Sequence, residues 1–173
     1  MTEQTPESTT VAESTETIDA SIFDTIDSKL KVVSVELEIA APAAEVFELI
    51  ADPVRQPEWD GNDNLGYAAQ GQRVTSVGSS FVTTLTKGVD RENHIVEFEE
   101  ARLIAWKPSE VGGDPFGHKW IWEIEATGDR SSLVRQTYDW TELRDPQRLP
   151  RAQSTKAANL LESLERLKAL AEK

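Results

Sequence analysis

Few side chains in this 173-residue chain have the type and spacing for chemistry. There is no Cys, which excludes a thiol nucleophile, a disulfide and any Cys-containing zinc site. His94 and His118 are the only histidines. Either could act as a base, and the pair with a carboxylate could bind a metal. Nothing in the spacing brings them together, so they read as two unrelated histidines. Asp60, Asn62 and Asn64 match the first three oxygen-ligand positions of a calcium loop. The sixth position is Leu65 where Gly belongs, and the twelfth is Gly71 where the bidentate Glu belongs. The signature fails, and residues 60–64 read as a turn at the mouth of a pocket. No Gly-rich phosphate loop, Gly-x-Ser-x-Gly elbow or zinc signature is present. No metal and no cofactor is expected.

The aromatic residues carry more information, and their positions depend on the elements around them. Val33, Val35, Leu37 and Ile39 alternate with polar residues, which predicts a half-buried strand. Pro42 opens a short helix over residues 42–51, with Ala43, Val46, Phe47 and Ile50 on one face. Asp52-Pro53 opens a second short helix that Pro57 should limit, and Trp59 follows. Residues 65–70 are a weak strand candidate. Phe81–Lys87, Asn93–Glu100, Leu103–Pro108, Lys119–Ala126 and Ser132–Thr141 read as strands, with a hairpin turn at Gly128-Asp129-Arg130. Trp120, Trp122 and Ile124 share one face. Val134, Gln136, Tyr138 and Trp140 share another. Lys107–Gly117 holds two Pro and three Gly, the composition of a loop that could cover an entrance. Asp145-Pro146 opens a helical turn that Pro150 should interrupt. Residues 154–171 form the strongest helix, with Ala157, Leu160, Leu161, Leu164, Leu167 and Ala171 in one stripe. Eighteen residues span roughly 27 Å, enough to cross a sheet.

This order predicts an α+β fold. A curved antiparallel sheet of about six or seven strands wraps around a long C-terminal helix, with two short helices after the first strand. The pattern resembles the START-like helix-grip superfamily, the polyketide cyclase/dehydrase and lipid transport family that includes the birch-pollen-allergen type. The residues that carry the resemblance are Val33–Ile39, Ala41-Pro42-Ala43-Ala44-Glu45-Val46-Phe47, Ile50-Ala51-Asp52-Pro53 and Pro57-Glu58-Trp59. Ile104-Ala105-Trp106, the strands holding Trp120 and Tyr138, and the last helix add to it. The resemblance covers about residues 31–172. It implies a cavity between the sheet and the C-terminal helix that holds a hydrophobic or amphipathic small molecule, such as a lipid or a polyketide-like or aromatic metabolite. The candidate ligand-binding residues are Trp59, Phe81, Thr83, Phe98, Trp106, Trp120, Trp122, Tyr138, Trp140, Leu160 and Leu164. Trp and Tyr suit such a lining because each offers an apolar face and one polar handle. The same side chains could instead fill the core. The superfamily also includes cyclase or dehydratase enzymes and a co-chaperone domain that activates the Hsp90 ATPase, and fold does not fix function. Both stay open beside the carrier reading. For a cyclase-type member the resemblance implies Tyr138, His118 and Asp60 as candidate catalytic residues, with Thr83 and Gln136 as groups that could orient a substrate.

Charge excludes other classes. The formal net charge is −13. That argues against a nucleic-acid binder and against docking on anionic membranes. No run of about 18 apolar residues is present, so no stable membrane insertion is expected. Residues 1–28 hold seven acids and no Lys or Arg. They read as an acidic, mostly disordered N-terminal tail ahead of a START-like ligand-binding domain over residues 31–173. Within the tail, Ile18, Ile22, Phe23, Ile26 and Leu30 predict a short amphipathic helix near residues 19–29. It would dock on the domain itself or on a protein partner. The lack of Cys fits a reducing compartment and a cytoplasmic location.

Overall fold

A computed structural model describes residues 19–173 of the protein. Residues 1–18 of the tail expected to be mostly disordered lie outside the described residues. Seven strands form one antiparallel sheet: β1 (Val32–Ile39), β2 (Leu65–Tyr67), β3 (Ser80–Leu85), β4 (Asp90–Glu99), β5 (Leu103–Ser109), β6 (Lys119–Gly128) and β7 (Ser131–Asp139). Their order in space is β1-β7-β6-β5-β4-β3-β2. Four helices cover the sheet: α1 (Ala43–Ala51), α2 (Gln56–Trp59), α3 (Leu149–Ser154) and α4 (Ala157–Ala171).

Register decides which aromatics meet. Trp106 stands opposite Trp120, and Trp120 opposite Tyr138. Ile104, Trp122 and Gln136 form the next row. Strand β4 departs from simple alternation. Pairing with β5 slips between Ile95 and Glu97, so Val96 is an extra residue. The slip turns both Ile95 and Phe98 toward the core, whereas strict alternation sets them on opposite faces.

The end of α1 is closed by four groups from outside the helix. The last four carbonyls of any α-helix lack intrahelical partners. Here the Asp52 amide donates to Glu48 O (3.1 Å) and the Val74 amide to Ala51 O (2.9 Å). Trp59 Nε1 donates to Leu49 O (2.7 Å) and Gln56 Nε2 to Ile50 O (3.1 Å). The α2 side chains thereby fix the angle at which α2 leaves α1. Trp59 lies edge-on to Trp122 at 4.9 Å.

Two segments share the pattern Asp-Pro-x-Arg-x-Pro, at residues 52–57 and 145–150. Each makes a 3-10 turn (Pro53–Arg55 and Pro146–Arg148) that runs into a short α-helix. Asp52 and Asp145 cap these turns, accepting from the Val54 and Gln147 amides at 3.3 and 3.0 Å. Pro57 does not limit α2, and Pro150 does not interrupt α3. Both lie in the first turn, where the missing N–H would have had no partner.

Helix α4 begins at Ala157 rather than Ser154, because Thr155 and Lys156 are extended between it and α3. Its 15 residues span about 22 Å. The buried stripe is Leu160, Ser163, Leu164 and Leu167. Leu161, expected in that stripe, lies one step round the helix and is exposed. Ser163 Oγ accepts from the Gly61 amide at 2.8 Å. A Cβ on Gly61 would stand 2.5 Å from Ser163 N, so only Gly allows the α2–β2 loop this close to α4.

Before β1 the chain forms two 3-10 turns, Ala20–Thr25 and Ser28–Lys31, rather than one amphipathic helix. Asp19 and Asp27 each accept from the amide two residues on, which closes separate turns. Phe23 is buried against Trp140, 6.4 Å between ring centres, and the Lys31 ammonium donates to Phe23 O at 2.7 Å.

Trp59→Phe keeps the ring and deletes its N–H, leaving Leu49 O buried without a partner. Chemical denaturation is expected to show a loss of about 2 kcal/mol. A loss below a few tenths would remove the indole from the capping of α1.

Candidate functional site

A cavity of about 400 Å³ opens on the concave face of the sheet. Its wall is the row Tyr138, Trp120 and Trp106, followed outward on β4 and β3 by Asn93 and Thr83. Its roof comes from α2, α3 and the segments beside them, through Trp59, Asp60, Arg148, Arg151 and Thr155. No residue of α4 lines it. The expectation of a space between the sheet and the C-terminal helix is therefore corrected. Leu160, Leu164 and Leu167 seat α4 directly on the sheet, and the cavity lies under α3.

Eight of the expected site residues line the cavity: Trp59, Asp60, Thr83, Trp106, His118, Trp120, Gln136 and Tyr138. Six do not. Phe81 packs edge-on behind Trp106 at 5.3 Å. Trp122 lies against Trp59, and Phe98 against Phe47 at 5.7 Å. Trp140, just past the end of β7, meets Phe23. Leu160 and Leu164 are core residues of α4. For Phe81, Trp122, Leu160 and Leu164 the spacing named the buried face and gave no depth along it, whereas Phe98 reaches the core only through the slip in β4.

Polar lining residues were missed: Gln56, Asn93, Arg91, Arg148, Arg151 and Thr155. The repeated Asp-Pro-x-Arg-x-Pro pattern was the available signal for Arg148. Arg91 had none, because β4 starts three residues earlier than its hydrophobic alternation.

Asp60 is buried, and its carboxylate accepts from the Asn62, Asn64 and Leu65 amides at 3.1, 2.8 and 2.9 Å and from Asn62 Nδ2 at 3.1 Å. The expected turn is thus organised around this carboxylate. Four donors occupy its oxygens, which suits Asp60 to building the cavity mouth rather than to moving protons. His94 faces away, with Nε2 2.8 Å from Ser109 Oγ, and is not part of the site. Among the described residues no cluster of three or more His, Asp or Glu is placed to hold a metal ion.

His118 and Tyr138 do meet. Their rings lie 5.9 Å apart, and His118 stacks on Phe116 at 6.0 Å. His118 Nδ1 is shut off from solvent and has no hydrogen-bond partner. Burial, then the charges of Arg148 and Arg91, push the imidazole down to about 4. Burial also pushes the Tyr138 hydroxyl above its ordinary range, with Arg151 and Thr155 pulling the other way. At neutral pH the site therefore presents a neutral imidazole and a protonated phenol, both suited to hydrogen bonding.

The family profile described as polyketide cyclase / dehydrase and lipid transport matches residues 31–172. A protein of Mycobacterium tuberculosis named "Uncharacterized protein Rv0088" is 36% identical over 110 residues, covering 62% of this chain and 47% of that protein. The chain spans about half the length of the curated relatives it matches. Protein MLL2253 from Mesorhizobium loti superposes with a TM-score of 0.60 at 18% identity, over 82% of this chain and 96% of that one. Norcoclaurine synthase from Thalictrum flavum, solved with a transition-state analogue, superposes with a TM-score of 0.56 at 15% identity, over 82% and 94%. At these identities the structural likeness shows the fold.

The His118 imidazole makes stability depend on pH. The unfolded chain protonates near 6.5 and the folded chain only near 4. Between those values the unfolded state holds more protons, so stability is full above about pH 6.5 and falls as pH drops toward 4. Urea denaturation of His118→Gln is expected to lose about 2 kcal/mol less than wild type between pH 7 and 4.5. Equal losses would show that His118 titrates normally in the fold.

Proposed function

Because the chain belongs to the polyketide cyclase/dehydrase and lipid transport family, we propose that its cavity binds a small amphipathic molecule. The observation that carries this reading is the cavity wall itself. Trp106, Trp120 and Tyr138 present a continuous aromatic row to a space of about 400 Å³. That size falls within the range of small-molecule sites, roughly 300–1,000 Å³. Polar atoms interrupt the apolar wall: His118 Nδ1 and Gln136 Oε1 are buried without partners in the protein. An unpaired buried donor or acceptor is costly, and a ligand with a matching group offsets that cost.

The contact of His118 with Tyr138 supports a second reading, chemistry of cyclase or dehydratase type. A phenol held in its protonated form can donate to a carbonyl oxygen as negative charge develops there. If the bound molecule is converted, Tyr138→Phe is expected to slow conversion by roughly 100-fold. An unchanged rate would place the chemistry on other groups.

Titration of the full chain with N-phenyl-1-naphthylamine, followed by tryptophan quenching and native mass spectrometry, is expected to saturate at one molecule per chain. Thr83→Trp, which fills the cavity, should weaken that binding at least tenfold. Absence of saturable binding by this probe and by a panel of fatty acids and aromatic metabolites overturns the reading.

A further inference from the structure

The cavity lining combines the aromatic row with four cations, Lys87, Arg91, Arg148 and Arg151, in a chain whose net charge is −13. Among the described residues every Arg except Arg91, Arg130 and Arg151 is in an ion pair, and two of these three exceptions line this cavity. The one acid lining it, Asp60, has its carboxylate occupied by amides of its own loop.

Phe116 gathers the two half-buried cations. The Arg148 guanidinium carbon lies 3.3 Å from the ring centre and that of Arg91 5.6 Å. Each is attracted to the ring face, yet the two repel each other, and neither charge is well neutralised. Arg91 donates to the Asp90 backbone carbonyl at 3.0 Å. Asp145 Oδ2 is 3.3 Å from Arg148 Nε, but at an angle that leaves this buried Nε without a hydrogen bond. Asp145 and Glu110 act on Arg148 through space, but neither makes a hydrogen bond to either guanidinium. The pair therefore keeps N–H donors for an anion, and the planar guanidinium fork matches a carboxylate.

We infer that the ligand is an amphipathic carboxylic acid, its aromatic body on Trp106, Trp120 and Tyr138 and its carboxylate held by Arg91 and Arg148 beside Phe116. This rests on the binding reading above and adds the class of ligand. Lys87 and Arg151, exposed at the rim, would attract the acid toward the opening.

The test compares 2-naphthoate, 2-naphthamide and 2-naphthylmethylammonium by calorimetry on the full chain at low salt. The acid is expected to bind at least tenfold tighter than the amide, and the ammonium weakest. Added salt should weaken the acid selectively. In Arg91→Gln and Arg148→Lys the acid-to-amide ratio should fall toward one, whatever each change does to the amide itself. Near-ultraviolet circular dichroism on both variants checks that the fold is retained. An amide that binds as tightly as the acid, or a ratio unmoved in both variants, overturns the inference while the binding reading stands. If all three probes fail and N-phenyl-1-naphthylamine binds, the inference alone falls. If that dye fails as well, both fall.

Discussion

Helix α1 ends with four carbonyls that need donors, and the answer to that need organises the cavity end of the molecule. Two donors are backbone amides, and two are the side chains of Gln56 and Trp59. An indole N–H can reach Leu49 O only from one position and one ring orientation. That orientation sets the Trp59 edge against Trp122 and leaves the rest of the ring in the cavity roof. The next residue, Asp60, then draws three amides of the following loop onto its carboxylate. Gly61 lets this loop touch the backbone of α4. Helix termination, aromatic packing and the cavity mouth are thus one connected set of contacts, centred on residues 48–65 and reaching Val74, Trp122 and Ser163.

The sheet is shared between two covers with different chemistry. Over one half, α4 packs on β1 and β7, and Leu164 and Leu167 share one apolar cluster with side chains from β1, β5, β6 and β7. Over the other half, the cover is α3 and the turn before it, whose inward residues include Arg148, Arg151 and Thr155. Long cationic side chains cannot fill a space as Leu does, because their charged ends seek water or a counter-ion. The cavity therefore stands where the cover changes from aliphatic to cationic. The low protonation range of His118 is a consequence of the same arrangement, since burial and two nearby guanidiniums both oppose a further positive charge.

Much of the fold was legible in the residue order. Alternation located β1, β3, β6 and β7, a preceding tight turn marked the run that forms β5, and the stripe Leu160, Leu164 and Leu167 located α4. Proline was misread twice, at Pro57 and Pro150, because a residue that breaks a helix in its interior is at home in its first turn. The bulge at Val96 was invisible, because an extra residue changes which neighbours meet without changing composition. The expected lining residues that proved to be core, such as Phe81 and Trp122, share the correct face with those that line the cavity. Pattern gives a face, while distance from the cover belongs to three dimensions.

What this sequence determined by itself is therefore local and periodic: the α+β class, the strand faces, the capped helix starts and an aromatic-rich concave surface. Each follows from interactions between residues a few positions apart, or from burial averaged over one face. Only the tertiary structure decided that the cavity lies under α3 rather than α4, that Asp60 serves the loop, and that Arg91 and Arg148, 57 positions apart, share the ring of Phe116. Those outcomes depend on strand register and on the angles at which short helices leave their caps. Hydrogen bonds between distant segments set both, and no window of the sequence contains them.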